Sequence, residues 1–193
     1  MSWRDRAAAL LAGREPVPEG FTGTLATGER VLAEARGPRG SIVLATDQGL
    51  WLPPGPAPQG ADGDTPDVDA VPAAHRIPWH LVSRASWQSG ALEVVEAEPE
   101  DLGGGVVLLA DRAPRRVPLT DPRRVPETVQ RRVTEPIRSR QYHEIADGGA
   151  WFVQRKVPGR GVVVQVRPDP GTDQAAIRTV ALGVAETLGA AGR

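Results

Sequence analysis

Ser41-Ile42-Val43-Leu44-Ala45-Thr46-Asp47-Gln48-Gly49-Leu50-Trp51-Leu52 is the stretch whose reading decides the fold. An apolar, β-branched run ends at Thr46, turn-forming residues follow, and a second apolar run starts at Leu50. Asp47-Gln48-Gly49 suits a type I turn with glycine in the left-handed position, so the segment reads as a tight β-hairpin. Immediately upstream, Arg30–Arg36 has strand character, and Gly37-Pro38-Arg39-Gly40 turns it into Ser41.

The same grammar continues downstream. Strand character resumes at Arg76-Ile77-Pro78-Trp79 and runs through Leu81–Trp87. Ser89-Gly90 then leads into Ala91–Glu96, and the triple glycine 103–105 leads into Val106–Ala110. Arg115–Leu119 follows as a further strand. The triple glycine precedes a strand and no Lys-Ser/Thr follows it, so it reads as a hairpin connection rather than a phosphate loop. Asp121-Pro122 suits a helix start, with Asp as cap and Pro in the first turn. Val125, Val129 and Val133 form one apolar stripe, Glu127 and Arg131 are spaced for an i,i+4 pair, and Pro136 closes the helix. Three more strands are predicted at Arg140–Ile145, Trp151–Val157 and Gly161–Arg167. Thr172 or Asp173 then caps a final helix with Ile177, Val180, Val184 and Leu188 on one face.

Strands joined mainly by hairpins, closed by helices, define an α+β protein with antiparallel sheets. Composition agrees: 22 Gly and 19 Pro among 193 residues demand short elements and many turns. Residues 1–27 read as an N-terminal helix and lead-in. Residues 53–75, with Asp62, Asp64, Asp67 and Asp69 among prolines, read as a flexible acidic loop. The spacing of those aspartates lacks the central Gly and terminal Glu of a calcium loop, so no metal is expected there.

The chain has no Cys, which excludes disulfides, thiolate metal sites and a cysteine nucleophile. No apolar run approaches the roughly 20 residues that span a bilayer. The six-residue stretch Ala7–Ala12 is too short for a signal peptide, so a cytoplasmic protein is expected. His75, His80 and His143 make no helical zinc pair, and no G-x-S-x-G elbow, Walker loop or dinucleotide fingerprint occurs. No catalytic residue, metal or cofactor is predicted. Four of the five tryptophans, Trp51, Trp79, Trp87 and Trp151, read as core volume in a chain with two Phe and one Tyr.

Charge is unevenly spread. Residues 1–111 carry 8 Arg against 16 Asp and Glu, whereas residues 112–193 carry 15 Arg and Lys against 8 acids. Such a split marks halves that attract each other or another copy, or an anionic partner for the basic half. Arg115, Arg116, Arg123, Arg124, Arg131 and Arg132 are the candidate anion-binding residues, if they share a face.

The order of seven strands and an amphipathic helix resembles the pleckstrin-homology (PH) superfold. Leu44–Trp51 looks like the second hairpin of bacterial PH-like domains, and Arg76-Ile77-Pro78-Trp79-His80-Leu81-Val82 is similar to the segment entering their next strand. The chain also resembles actinobacterial proteins that share these words. The resemblance implies a small antiparallel barrel over residues 28–137, capped by the Val125 helix, with residues 138–193 as a three-strand-plus-helix extension. It further implies a non-enzymatic module that binds a protein partner or its own copy. The alternative is an anion-binding module for nucleic acid or acidic lipid, using the Arg-rich face. Arg36 and Arg39 fall near the loop used by phosphoinositide-binding relatives, but Ser41–Leu44 carries no charge and departs from that pattern.

Overall fold

The structure, a computed structural model, describes residues 16–55, 73–145 and 148–191. The expected N-terminal helix and most of the acidic loop lie outside the described residues.

The described chain is α+β, with strands β1 (Val31–Arg36), β2 (Ile42–Thr46), β3 (Gly49–Leu52), β4 (His75–Pro78), β5 (Val82–Gln88), β6 (Ala91–Gly103), β7 (Val106–Asp111) and β8 (Arg115–Pro118). Helix α1 (Val125–Thr134), strands β9 (Ile137–Ile145), β10 (Gly148–Val157) and β11 (Gly161–Pro168), and helix α2 (Gln174–Ala191) complete it. Two compact units interleave along the sequence. The first comprises Met1–Trp79, Ser86–Glu93 and Arg116–Val129, and the second His80–Ala85, Val94–Arg115 and Gln130–Arg193.

In the first unit, β1-β2-β3-β4 form a four-stranded antiparallel meander. Val31, Ile42, Leu44 and Trp51 share a buried cluster against which Phe21 and Leu25 pack. The β2–β3 turn forms as the sequence predicts, but Gly49 is not among the positive-φ residues. Its role is close approach: a Cβ there would lie 2.6 Å from the Ile77 carbonyl oxygen of β4. Thr46 takes over the turn, its Oγ1 accepting from the Gly49 amide at 3.0 Å. Gly49→Ala should therefore weaken the β3–β4 pairing and cost about 1–3 kcal/mol, the range for overpacking. Urea unfolding tests this, and a loss near zero would mean that β4 can move aside.

Helix α1 begins later than its sequence signal. Asp121 forms an isolated bridge with Arg36 instead of capping, and Arg123 takes φ +46° before the helix starts at Val125. The predicted stripe is nevertheless inside, with Val125 and Val129 buried. Arg131 lies 3.9 Å from Glu135, so the i,i+4 partner observed is that acid and not Glu127.

The larger sheet runs β5-β6-β7-β11-β10-β9, with β8 pairing β6. Hairpins make most of it antiparallel, and β7–β11 is a parallel exception. Strand β6 extends beyond its apolar run through the acids 96–101. In the second unit these acids meet arginines: Arg112 reaches Glu96 and Glu98, Arg178 reaches Glu100, and Arg160 reaches Asp101. Helix α2 lays Ile177, Ala181 and Ala185 against Val106, Leu108, Ala150 and Val166. Asp173 is its cap, with Oδ1 accepting from the Ala176 amide at 2.7 Å. Thr172 is engaged elsewhere, bonding to the Gly149 backbone.

Candidate functional site

The six arginines singled out in the sequence divide between the units. Arg116, Arg123 and Arg124 belong to the first and Arg115, Arg131 and Arg132 to the second. Arg116 is exposed and donates to the Ser89 carbonyl at 3.4 Å. Arg123 is held by Glu34 and by Asp121, the latter at 2.9 Å. Arg124 is exposed, and Arg131 faces Glu135. Arg115 is half-buried, and burial lowers its pKa against the opposing charge of Glu96. Arg132 is also half-buried, and its Nε has no hydrogen-bond partner. In the first unit, Arg39 borders a groove of about 380 Å³ with Phe21, Ile42, Pro54 and Ala74.

The second unit contains a more concentrated chemistry on β9, β10 and β11. Register pairs Trp151 with Tyr142 and Arg167, Val153 with Arg140 and Gln165, and Arg155 with Ile137 and Val163. Because side chains alternate, these residues share one face of the sheet. The neighbouring positions Ala150, Phe152, Val164 and Val166 belong to the cluster that receives α2.

Trp151 and Tyr142 are 39% and 43% exposed, with ring centroids 5.3 Å apart and tilted by 57°. The Arg140 guanidinium stands 5.7 Å from the Trp151 ring centroid, within cation–π range. Tyr142 Oη donates to Asp169 at 2.7 Å, and this bond, ahead of burial and nearby acids, raises the phenol pKa. Trp151 and Trp87 thus depart from the expected core role. Trp87, at 38% exposed, also faces outward, while Trp51 and Trp79 are buried.

Further along the same face, polarity reverses the usual order: a guanidinium is inside. Arg155 is only 1% exposed. Its Nη2 donates to the Val133 and Arg132 carbonyls at 2.9 and 3.5 Å, at the C-terminal end of α1. Its Nε and Nη1 have no partner. Arg167 donates from Nη1 to the Ser83 carbonyl at 2.8 Å and from Nη2 to Gln165 Oε1 at 3.0 Å, leaving Nε unpartnered. Gln165 in turn donates to the His80 carbonyl at 2.7 Å.

Burial, reinforced by the charge of Arg167, lowers the Arg155 pKa to about 10. Burial lowers that of Arg167 too, opposed by Asp111. Burial and then the charges of Arg155 and Arg160 depress His80, which favours its neutral form. Sequence reasoning missed Arg155 and Arg167 because an arginine within a strand normally marks the wet face. The one signal was that Arg155 and Val153 fall on the same side of a two-residue alternation.

Among the described residues, no helix is long and apolar enough to cross a membrane, and no group of three or more His, Asp or Glu is placed to hold a metal. Fold and site together define an α+β protein with a cation-rich, aromatic sheet face. Comparison with protein-family models, curated proteins and solved structures finds no match.

Proposed function

We propose that this chain is a non-enzymatic interaction module of PH-like kind, whose protein partner is a second copy of itself engaged through β9. The PH-like reading is supported by a four-stranded meander, followed by the β5-β6-β7 meander and an amphipathic helix. The observation that carries the interaction is that β9 ends its sheet, with residues 138–144 exposed and the Tyr142–Trp151–Arg140 group beside that edge. Exposed Trp, Tyr and Arg are the side chains that dominate interface energetics. An unpaired edge offers a row of backbone donors and acceptors to another strand.

The partner is argued from self-complementarity. An antiparallel two-fold at Gln141 sets Arg140 of one copy opposite Tyr142 of the other, and Ser139 opposite His143. It also brings Arg138 towards Glu144, although a register shift near Arg155 limits regular pairing to the central residues. The association is therefore short and weak.

Arg140→Glu should raise the dimer dissociation constant about tenfold, since two symmetric cation–π contacts of about 0.5–1 kcal/mol each are lost. Sedimentation equilibrium reads this directly. A protein that stays monomeric up to its solubility limit overturns the reading and makes Arg138, Arg140 and the register shift guards of a solitary edge. Salt-sensitive binding to DNA or anionic vesicles, lost on replacing Arg116 and Arg124, would favour the nucleic-acid or lipid alternative instead.

A further inference from the structure

We propose that Arg155 and Arg167 of the second unit, which share one face of the sheet, form an internal binding site for one phosphate-class oxyanion, independent of the β9 edge. The argument begins with what these residues lack. Arg112, Arg160 and Arg178, in the same unit, each meet a carboxylate, whereas none of the ion pairs among the described residues includes Arg155 or Arg167, and the charge of Asp111 only partly offsets the burial of Arg167. A guanidinium stays charged in a protein, and a buried charge without a counter-charge is strongly disfavoured. The donors are also incompletely used. Arg155 Nε and Nη1 and Arg167 Nε are all buried without a partner.

Hydrogen bonds frame these donors. Arg155 is fixed from one side by the last carbonyls of α1, and Arg167 by Ser83 and by Gln165. Gln165, itself 1% exposed, is anchored on the His80 backbone. Planar guanidinium forks are suited to oxyanions with several acceptor oxygens, each able to take more than one N–H. Two guanidinium groups match a multiply charged tetrahedral group better than a single carboxylate. His80, whose neutral form burial favours, and Gln165 add polar surroundings, and Asp111 is the acid whose charge acts on Arg167.

A purely structural role for Arg155, as a cation closing the α1 C-terminus, makes the opposite thermal prediction. The test uses the full chain, with inorganic phosphate, sulfate and acetate compared against sodium chloride at equal ionic strength. Saturating phosphate should raise Tm by several degrees, and calorimetry should give one site per chain. Arg155→Met should abolish the phosphate-dependent shift and, in chloride, melt no lower than the native protein, because removing an unpaired buried charge relieves a cost. Arg167→Lys, a milder change, should weaken phosphate binding at least tenfold while preserving the fold. No phosphate shift in the native protein overturns the site, as does an equal shift in Arg155→Met. An equal response to acetate overturns the assignment to the phosphate class.

Discussion

Glu29→Ala should lower the unfolding free energy by about 3–5 kcal/mol, the cost of stripping a buried charge partner. The Glu29 side chain is fully buried. It accepts from Thr46 Oγ1 at 2.6 Å, Trp51 Nε1 at 2.8 Å, the Ala26 amide at 2.9 Å and Arg76 Nη1 at 3.1 Å. Truncation leaves Trp51 Nε1 and the Ala26 amide unmatched, and Arg76, which also stands 5.7 Å from the Trp51 ring centroid, keeps Gln48 Oε1 but loses its carboxylate. Glu29→Gln keeps the shape and one acceptor and should cost about 1–3 kcal/mol, the range for an unsatisfied buried group.

The same residue shapes the acid response. Burial alone would raise the Glu29 carboxyl, but the bonds from Thr46, Trp51 and Ala26, with the charge of Arg76, bring it below its ordinary value of 4.5. The unfolded chain therefore binds the proton first. Glu29 contributes its full stability above its unfolded pKa and loses it as pH falls through the lower folded value. Urea titrations across that window should show a shallower acid slope for Glu29→Gln. An unchanged slope, or a loss below about 1 kcal/mol in Glu29→Ala, would mean the carboxylate is solvated.

Ile177→Ala should cost about 2–4 kcal/mol, as buried Ile truncations do. Ile177 is fully buried in the cluster that joins α2 to β7, β10 and β11. The helix has little room to follow the lost side chain, because Gly104 (φ +56°) lies directly against the Ala185 carbonyl. A cavity should therefore remain. Leu188, 40% exposed on the same helix, is the control, and its replacement by Ala should stay within about 0.5 kcal/mol. Urea midpoints decide the comparison, and equal losses would mean that α2 does not dock through Ile177.

The candidate site was only partly legible. The sequence pointed to arginines of β8, of α1 and of the segment between them because they cluster along the chain. In space, Arg123 and Arg131 are occupied by carboxylates, and Arg132 Nε is buried without a partner. Arg155 and Arg167 are separated by a hairpin and read as ordinary strand charges. Ser83, which holds Arg167 through its carbonyl, lies 84 residues away.

Local pattern by itself determined the β2–β3 hairpin, the β10–β11 hairpin and the valine stripe of α1. Turn chemistry and the two-residue or 3.6-residue period need only neighbouring residues. Tertiary structure alone decided that β7 joins β11 in parallel, that Trp151 faces outward and that Arg155 lies inside. Strand partnership and burial depend on which distant segment covers a face, and no periodicity within a single strand specifies that segment.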